Sequence, residues 1–174
     1  ERNDPFRPNY YKLWFTKWIF RWANGAVFQL PRVASYYSMV KGHKEVIPNP
    51  VTSDGDNITL TTIENRKDIV VTLGRIDIVQ KRHDILSRSF VDFHKECPNY
   101  ELEIYGEGLR GDVGKIKRLI VSLNASHYIH LKGITYNPKK VLSEAKFFVL
   151  SSDFEGIPNA LIEAMTIGLP CIST

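Results

Sequence analysis

From residue 68 onward, short apolar runs alternate with longer segments in which apolar residues recur at helical spacing. Short, continuously apolar runs are typical of strands that are buried on both faces. The predicted strands are 69–73, 100–105, 128–131, 146–150 and one that begins at Cys171, with predicted helices at 84–96, 109–123, from 138 and at 159–167. Strands that alternate with helices predict an α/β fold, a doubly wound parallel sheet built from βαβ units.

The first third of the chain has a less regular pattern. A polar lead of nine residues precedes a strongly aromatic segment, Tyr10–Trp22, whose spacing predicts a helix. Two short strands at 26–30 and 45–47 are predicted to flank a helix at 32–40. The aromatic helix also carries Lys12, Lys17 and Arg21, which fits either a membrane surface or a packing partner, and we favour packing.

Composition narrows the classes of function. The chain has 174 residues, of which 43% are hydrophobic, enough for a packed core. A net charge of +4 fits an anionic ligand, but no concentrated basic stripe points to nucleic acid. Cys97 and Cys171 are far apart and are expected to be buried, reduced thiols of a cytosolic protein. The chain begins at Glu1 without methionine and stops after a predicted strand, so we expect a piece of a longer protein.

The most informative segment is the last one, residues 155–174. Gly156 allows a tight turn, and Pro158 is expected at the first position of a helix that ends before Gly168. The free N–H groups of that first turn attract an anion such as phosphate. Glu155 precedes the helix and Glu163 lies about one turn inside it. Phosphate at one end and hydroxyls at the other are what a nucleotide sugar presents to such a site.

Two further motifs follow predicted strands. In the first, Gly74 to Lys81, Arg75 and Lys81 can converge on a diphosphate, although two solvated charges are the alternative. In the second, Gly106 and Gly108 allow a backbone to approach a ligand closely, although an ordinary turn is the alternative. Because ligands of such sheets bind beyond the carboxyl ends of the strands, both motifs are expected at that edge.

The sequence offers little for a metal ion. Asp54 and Asp56 form an Asp-x-Asp pattern, but they lie in a polar stretch, and we favour a solvated turn. His94, His127 and His130 do not form a convincing ligand set. No metal is therefore expected.

In order and spacing, five segments resemble the retaining glycosyltransferases of family four (group 1), which have the GT-B architecture of two facing Rossmann-like domains. The segments are VIPNPV at 46–51, GRIDIVQK at 74–81, IYGEG at 104–108, LKGI at 131–134 and the final glutamate motif. The resemblance implies that residues 67–174 form a truncated C-terminal, donor-binding domain with a Rossmann-like sheet. Residues 1–45 are then the end of the N-terminal, acceptor-binding domain, and residues 46–66 are the linker.

The resemblance also implies roles for matching residues. Arg75 and Lys81 are expected to bind the donor diphosphate, Glu163 the ribose hydroxyls and Glu155 the transferred sugar. Arg75, Lys81 and Glu155 are therefore the expected catalytic residues. The other expected donor-binding residues are Gly74, Gly106, Gly108, Gly156, Ile157, Pro158 and Asn159. One departure is Arg82, because the family usually has glycine after the lysine.

The implied activity is the retaining transfer of a sugar, hexosyltransferase-like, from a nucleoside diphosphate to a hydroxyl of a saccharide or lipid-linked acceptor. Cell-envelope or exopolysaccharide biosynthesis is the expected pathway, with no cofactor, and the chain alone is expected to be inactive without its N-terminal domain. A non-catalytic nucleotide-binding module is the alternative, whereas an oxidoreductase is disfavoured because no Gly-x-Gly-x-x-Gly follows the first strand. We expect a cytoplasmic protein whose only membrane contact is peripheral, at the inner face.

Overall fold

The computed structural model describes residues 10–50 and 62–174, and the chain divides into two compact units between Pro50 and Val51. Most of the predicted linker at 46–66, with Asp54 and Asp56, lies outside the described residues. The domain boundaries expected from the sequence stay predictions.

The first unit has two helices and two strands. They are α1 (Tyr10–Phe20), β1 (Gly25–Phe28), α2 (Pro31–Tyr36) and β2 (His43–Val46). The strands pair in parallel, with Gly25 opposite His43. The aromatic segment is helical as predicted, and the side chains of Trp14, Trp18 and Trp22 are exposed.

The second unit alternates strands and helices throughout, which confirms the predicted fold class. After a short 3-10 helix (Ile63–Asn65) come β3 (Lys67–Leu73), α3 (His83–Glu96), β4 (Glu101–Tyr105), α4 (Arg110–Ser122) and β5 (Ile129–Gly133). They are followed by α5 (Pro138–Glu144), β6 (Ala145–Leu150), α6 (Asn159–Thr166) and β7 (Cys171–Ser173). Each predicted element is present, with ends that differ by one or two residues.

The five strands of this unit form one parallel sheet in the order β5-β4-β3-β6-β7. One face packs against α3 and α4, and Val70 of β3 shares an apolar cluster with Leu86 and Ile116. The other face packs against α5 and α6, and Val71 shares a second cluster with Leu142 and Ala164. Because both faces are covered, the central strand is apolar along most of its length, which is why its sequence does not alternate.

Local signals explain several helix ends. Asn137 caps α5, since its Oδ1 accepts a hydrogen bond from the Lys140 N–H at 3.0 Å, and Pro138 is the first helical residue as predicted. Both cysteines are free, but they are half-buried rather than buried. Within the described residues, no helix has the length and apolar character needed to cross a bilayer.

Candidate functional site

A cavity of about 360 Å³ lies at the carboxyl ends of β3 and β6. The chain runs from β3 outward to β4 on one side and from β6 outward to β7 on the other, so these neighbouring strands form the switch point of the sheet. Doubly wound sheets bind ligands in the crevice at that point. The lining residues are Leu73, Gly74, Lys81, Leu150, Glu155, Ile157, Pro158, Asn159, Ala160, Leu161 and Glu163.

Two of the residues that line the cavity form an ion pair. The Lys81 ammonium donates to Oε1 of Glu155, and each side chain is only 18% exposed. Ser152, which is buried, donates its hydroxyl to the same Oε1 at 2.6 Å. The Thr174 hydroxyl in turn donates to the Ser152 carbonyl at 2.9 Å, and this hydrogen bond helps to fix the residue that holds the Glu155 carboxylate. Ser152 was not predicted as a site residue, although its position three residues before Glu155 is a signal that the sequence contains.

The second glutamate of the cavity, Glu163, differs from Glu155 in having no partner for its carboxylate within the described residues. Glu163 is half-buried on α6 and lines the cavity, and its carboxylate has no hydrogen-bond or ion-pair partner among the residues that the structure describes. An unpaired carboxylate at a cavity wall is available to accept hydrogen bonds from ligand hydroxyls.

The beginning of α6 faces the same cavity. The helix starts at Asn159, so the prediction that Pro158 is the first helical residue is wrong by one position. Proline at 158 still ends the loop without presenting an N–H. Ala160 and Leu161 lie in the first turn, where backbone N–H groups have no acceptor within a helix. The cavity therefore combines a cationic side chain, a helix N-terminus and a carboxylate.

Arg75 does not converge with Lys81 on the cavity. Its guanidinium donates to the Asp77 carboxylate at 3.3 Å and to the Gln80 side-chain oxygen at 3.2 Å, and Arg75 is not among the lining residues. The Asp77 carboxylate also accepts the N–H groups of Val79 and Gln80, at 2.8 and 2.9 Å. These backbone hydrogen bonds, with that of Gln80 foremost, lower the pKa of Asp77 and keep it charged. Binding of a diphosphate by Arg75 stays a prediction.

Gly106 and Gly108 also lie outside the cavity lining, and their close approach is to protein backbone. A Cβ on Gly106 would stand 1.9 Å from the Gly74 carbonyl oxygen, and one on Gly108 would stand 2.1 Å from that of Ile76. The Gly106 backbone has φ +142°, which favours glycine. These glycines let the loop after β4 lie directly against the loop after β3. They therefore support the loop that carries Lys81 without lining the cavity themselves.

No metal centre is apparent within the described ranges, where no three His, Cys, Asp or Glu side chains come together as ligands. The charged groups that line the cavity are one ammonium and two carboxylates, and one of the carboxylates is paired with the ammonium.

Comparisons with known proteins agree with this architecture. The family model "Glycosyl transferases group 1" matches residues 67–174. An uncharacterized glycosyltransferase of Methanocaldococcus jannaschii is 31% identical over 91% of this chain and 41% of its own length. The N-acetylgalactosamine-N,N'-diacetylbacillosaminyl-diphospho-undecaprenol 4-alpha-N-acetylgalactosaminyltransferase of Campylobacter jejuni is 29% identical over 75% of this chain and 34% of its own.

Among solved structures, a TarM variant of S. aureus in a complex that contains UDP superimposes with a TM-score of 0.74 and 24% identity. The match covers 99% of this chain and 34% of TarM. That likeness shows the fold, the Rossmann-like half of a GT-B glycosyltransferase. The chain spans about two fifths or less of the length of the curated relatives that it matches.

Proposed function

The chain belongs to the glycosyl transferases of group 1, and from that premise we propose that the cavity between β3 and β6 binds the nucleoside diphosphate of a sugar donor. One observation carries the proposal: Lys81, the first turn of α6 and the unpaired Glu163 carboxylate all line the same cavity. Lys81 and the helix end suit the diphosphate, and Glu163 suits the ribose hydroxyls.

Binding of the diphosphate then exchanges one partner of Lys81 for another. In the absence of ligand the ammonium is neutralised by Glu155, and a phosphate oxygen takes over that position. During transfer the bond between the sugar and the phosphate breaks, and negative charge grows on the departing diphosphate. A fixed ammonium and a helix N-terminus aimed at that charge lower the barrier, because they need not reorganise as the charge develops.

The same exchange releases Glu155 for the sugar. The Ser152 hydroxyl still holds its Oε1, so the freed carboxylate stays at the cavity and accepts hydrogen bonds from sugar hydroxyls. In this scheme Glu155 and Glu163 bind separate parts of the donor and do not form the paired carboxylates of a glycosidase. Transfer with retention belongs to the proposal on the strength of the motifs that resemble family four.

The acceptor is a hydroxyl of a saccharide or of a lipid-linked saccharide. The name of the C. jejuni relative gives a diphospho-undecaprenol-linked acceptor for that protein, which supports a place in cell-envelope biosynthesis, with a hexose or hexosamine as the transferred sugar. We further propose a cytoplasmic protein that requires no metal ion, because Lys81 and the helix end supply the positive potential.

The chain alone is proposed to bind donor without transferring sugar. Holding an acceptor hydroxyl in the attack position is worth about 7–11 kcal/mol of barrier, and that task falls to a full N-terminal domain, of which residues 1–45 are the expected end. A non-catalytic nucleotide-binding module predicts the same binding, so transfer by the longer protein separates the two functions.

Two measurements test the proposal. Calorimetric titration with UDP and GDP, each with and without EDTA, should give saturable binding of at least one nucleotide that EDTA does not change, and no binding of NAD. Transfer of radiolabelled sugar is then compared between this chain and a longer one that includes the N-terminal domain, with the same donor and acceptor extract. Transfer only by the longer protein supports an enzyme; transfer by neither supports the binding module; robust transfer by this chain contradicts the need for a second domain.

A further inference from the structure

Arg82, directly after Lys81, has a backbone conformation that is unusual for its residue type. Its φ of 49° and ψ of 41° lie in the left-handed region, and it immediately precedes α3. Among the described residues, Asn124 is the other non-glycine residue with positive φ, and asparagine tolerates that region well. A glycine at position 82 would adopt the turn at no steric cost, so the reason for an arginine has to lie in its side chain.

The Arg82 side chain bridges two loops. Its Nη1 donates to Oδ2 of Asp153 at 2.7 Å, and its Nε donates to Oδ1 of Asp84 at 3.4 Å. Asp84 belongs to the first turn of α3, whereas Asp153 lies in the loop that joins β6 to α6. The guanidinium therefore ties the loop after β3 to the loop after β6, the two loops that form the cavity.

Other contacts join the same two loops on either side of Lys81. The Asp153 N–H donates to the Gln80 carbonyl at 2.9 Å, and the Gln80 side chain donates to the Phe154 carbonyl at 3.2 Å. The Ser151 hydroxyl donates to the Lys81 carbonyl at 2.8 Å. Lys81 is thus fixed by its backbone to the loop whose Glu155 meets its ammonium.

We propose that Arg82 and Asp153 are positioning residues, whose ion pair holds the two loops in register and so keeps the Lys81 ammonium at the diphosphate side of the cavity. This inference rests on the proposed function, because it takes the diphosphate as the ligand of Lys81. Neither residue lines the cavity, so both act through Lys81. Their loss should weaken binding of a diphosphate and leave binding of the free nucleoside unchanged.

The variants that test this proposal remove the ion pair and keep a residue that tolerates the backbone conformation at position 82. Arg82→Asn keeps a residue that tolerates the left-handed region and removes the ion pair, and Asp153→Asn removes the same pair from the other side. Arg82→Lys is the conservative variant, because it keeps a positive charge beside both Asp153 and Asp84. Arg88→Asn, at an exposed arginine of α3, is the matched control for the loss of one positive charge.

Affinities for UDP and for uridine are measured by calorimetry, and amide hydrogen exchange is measured at residues 80–82 and 153–155. Arg82→Asn and Asp153→Asn should each bind UDP about threefold to fivefold more weakly, the range for a partly exposed ion pair, with uridine unaffected and exchange faster in both loops. Arg82→Lys should retain most of both properties, and Arg88→Asn should match the wild type.

Three outcomes would overturn the inference: unchanged exchange in Arg82→Asn and Asp153→Asn, equal losses for UDP and uridine, or losses in Arg82→Lys as large as those in Arg82→Asn. Wild-type protein that binds neither UDP nor GDP would instead refute the proposed function. The exchange measurements, which need no ligand, would then decide alone whether Arg82 and Asp153 couple the loops.

Discussion

Lys81 is the residue whose contacts decide how the cavity treats an anion. Its ammonium is paired with Glu155, and both side chains are largely shielded from solvent. A ligand phosphate has to replace Glu155 as the partner of Lys81. Its binding free energy therefore reflects the difference between the two ion pairs and not the full attraction of a free cation. In the proposed binding mode that difference favours a diphosphate, which carries more charge than one carboxylate and would also meet the first turn of α6.

Substitution of Lys81 by alanine should reduce affinity for UDP at least about tenfold, the usual cost of losing a hydrogen bond to a charged group, and leave uridine affinity unchanged. Arg75→Ala is the comparison, and we expect a smaller loss because Arg75 has to leave Asp77 and Gln80 to reach a ligand. Calorimetry measures both affinities, and thermal unfolding checks that Lys81→Ala stays folded with Glu155 unpaired. A larger loss for Arg75→Ala would contradict the geometry.

Gly106 gives a prediction about stability rather than binding. Gly106→Ala puts a methyl group against the Gly74 carbonyl and keeps a positive φ, so the free energy of unfolding should fall by at least about 2 kcal/mol. Gly111→Ala is the matched control, because nothing lies within 4 Å of its added Cβ and alanine in the first turn of α4 should not lower stability. Urea unfolding compares the two, and equal stabilities would show that the loop after β4 can move aside.

At the scale of elements, the first turn of α3 joins the site to the core. His83 begins that helix and is 2% exposed, with its Nδ1 3.4 Å from the Asp77 backbone. Burial, together with the nearby Lys81 charge, lowers the pKa of His83, so the folded protein favours the neutral ring.

This burial predicts a loss of stability in acid. The unfolded chain takes up a proton on His83 below about pH 6.5, whereas the folded chain does not until a lower pH. The free energy of unfolding should therefore fall as pH decreases from about 6.5 towards the folded pKa, by at most about 1.4 kcal/mol per unit. The fall should be smaller in His83→Gln. Unfolding should be followed by circular dichroism rather than by tryptophan fluorescence, since all three tryptophans lie in the other unit. Identical pH profiles of stability in the wild type and in His83→Gln would contradict the assignment.

At the scale of the whole molecule, the alternation of strands and helices was predictable, because buried parallel strands such as β3 are short apolar runs. The order of the strands was not, since periodicity carries no information on which strands are neighbours. The contact of Lys81 with Glu155, 74 residues later, exists because β6 lies beside β3. A list of motifs identifies both residues but not their pairing.

Contacts within the protein that the sequence did not predict also have local causes. Arg75 is bound by Asp77, two residues away, and a competition between a ligand and a near neighbour is not visible in a motif. The glycines after β4 are required by the close approach of the adjacent loop, and their contact with a ligand stays a prediction. Glycine marks close approach without saying what approaches.

The central claim is that the cavity between β3 and β6 binds a nucleoside diphosphate through Lys81 and Glu163, and titration calorimetry of UDP and GDP into wild type and Glu163→Ala tests it most directly. The account predicts one binding site in the wild type and at least about tenfold weaker binding in the variant, from the lost bonds to ribose hydroxyls. Glu96→Ala, at an exposed glutamate on α3, should bind like the wild type. A wild type that binds neither nucleotide, or a folded Glu163→Ala of unchanged affinity, would contradict the account.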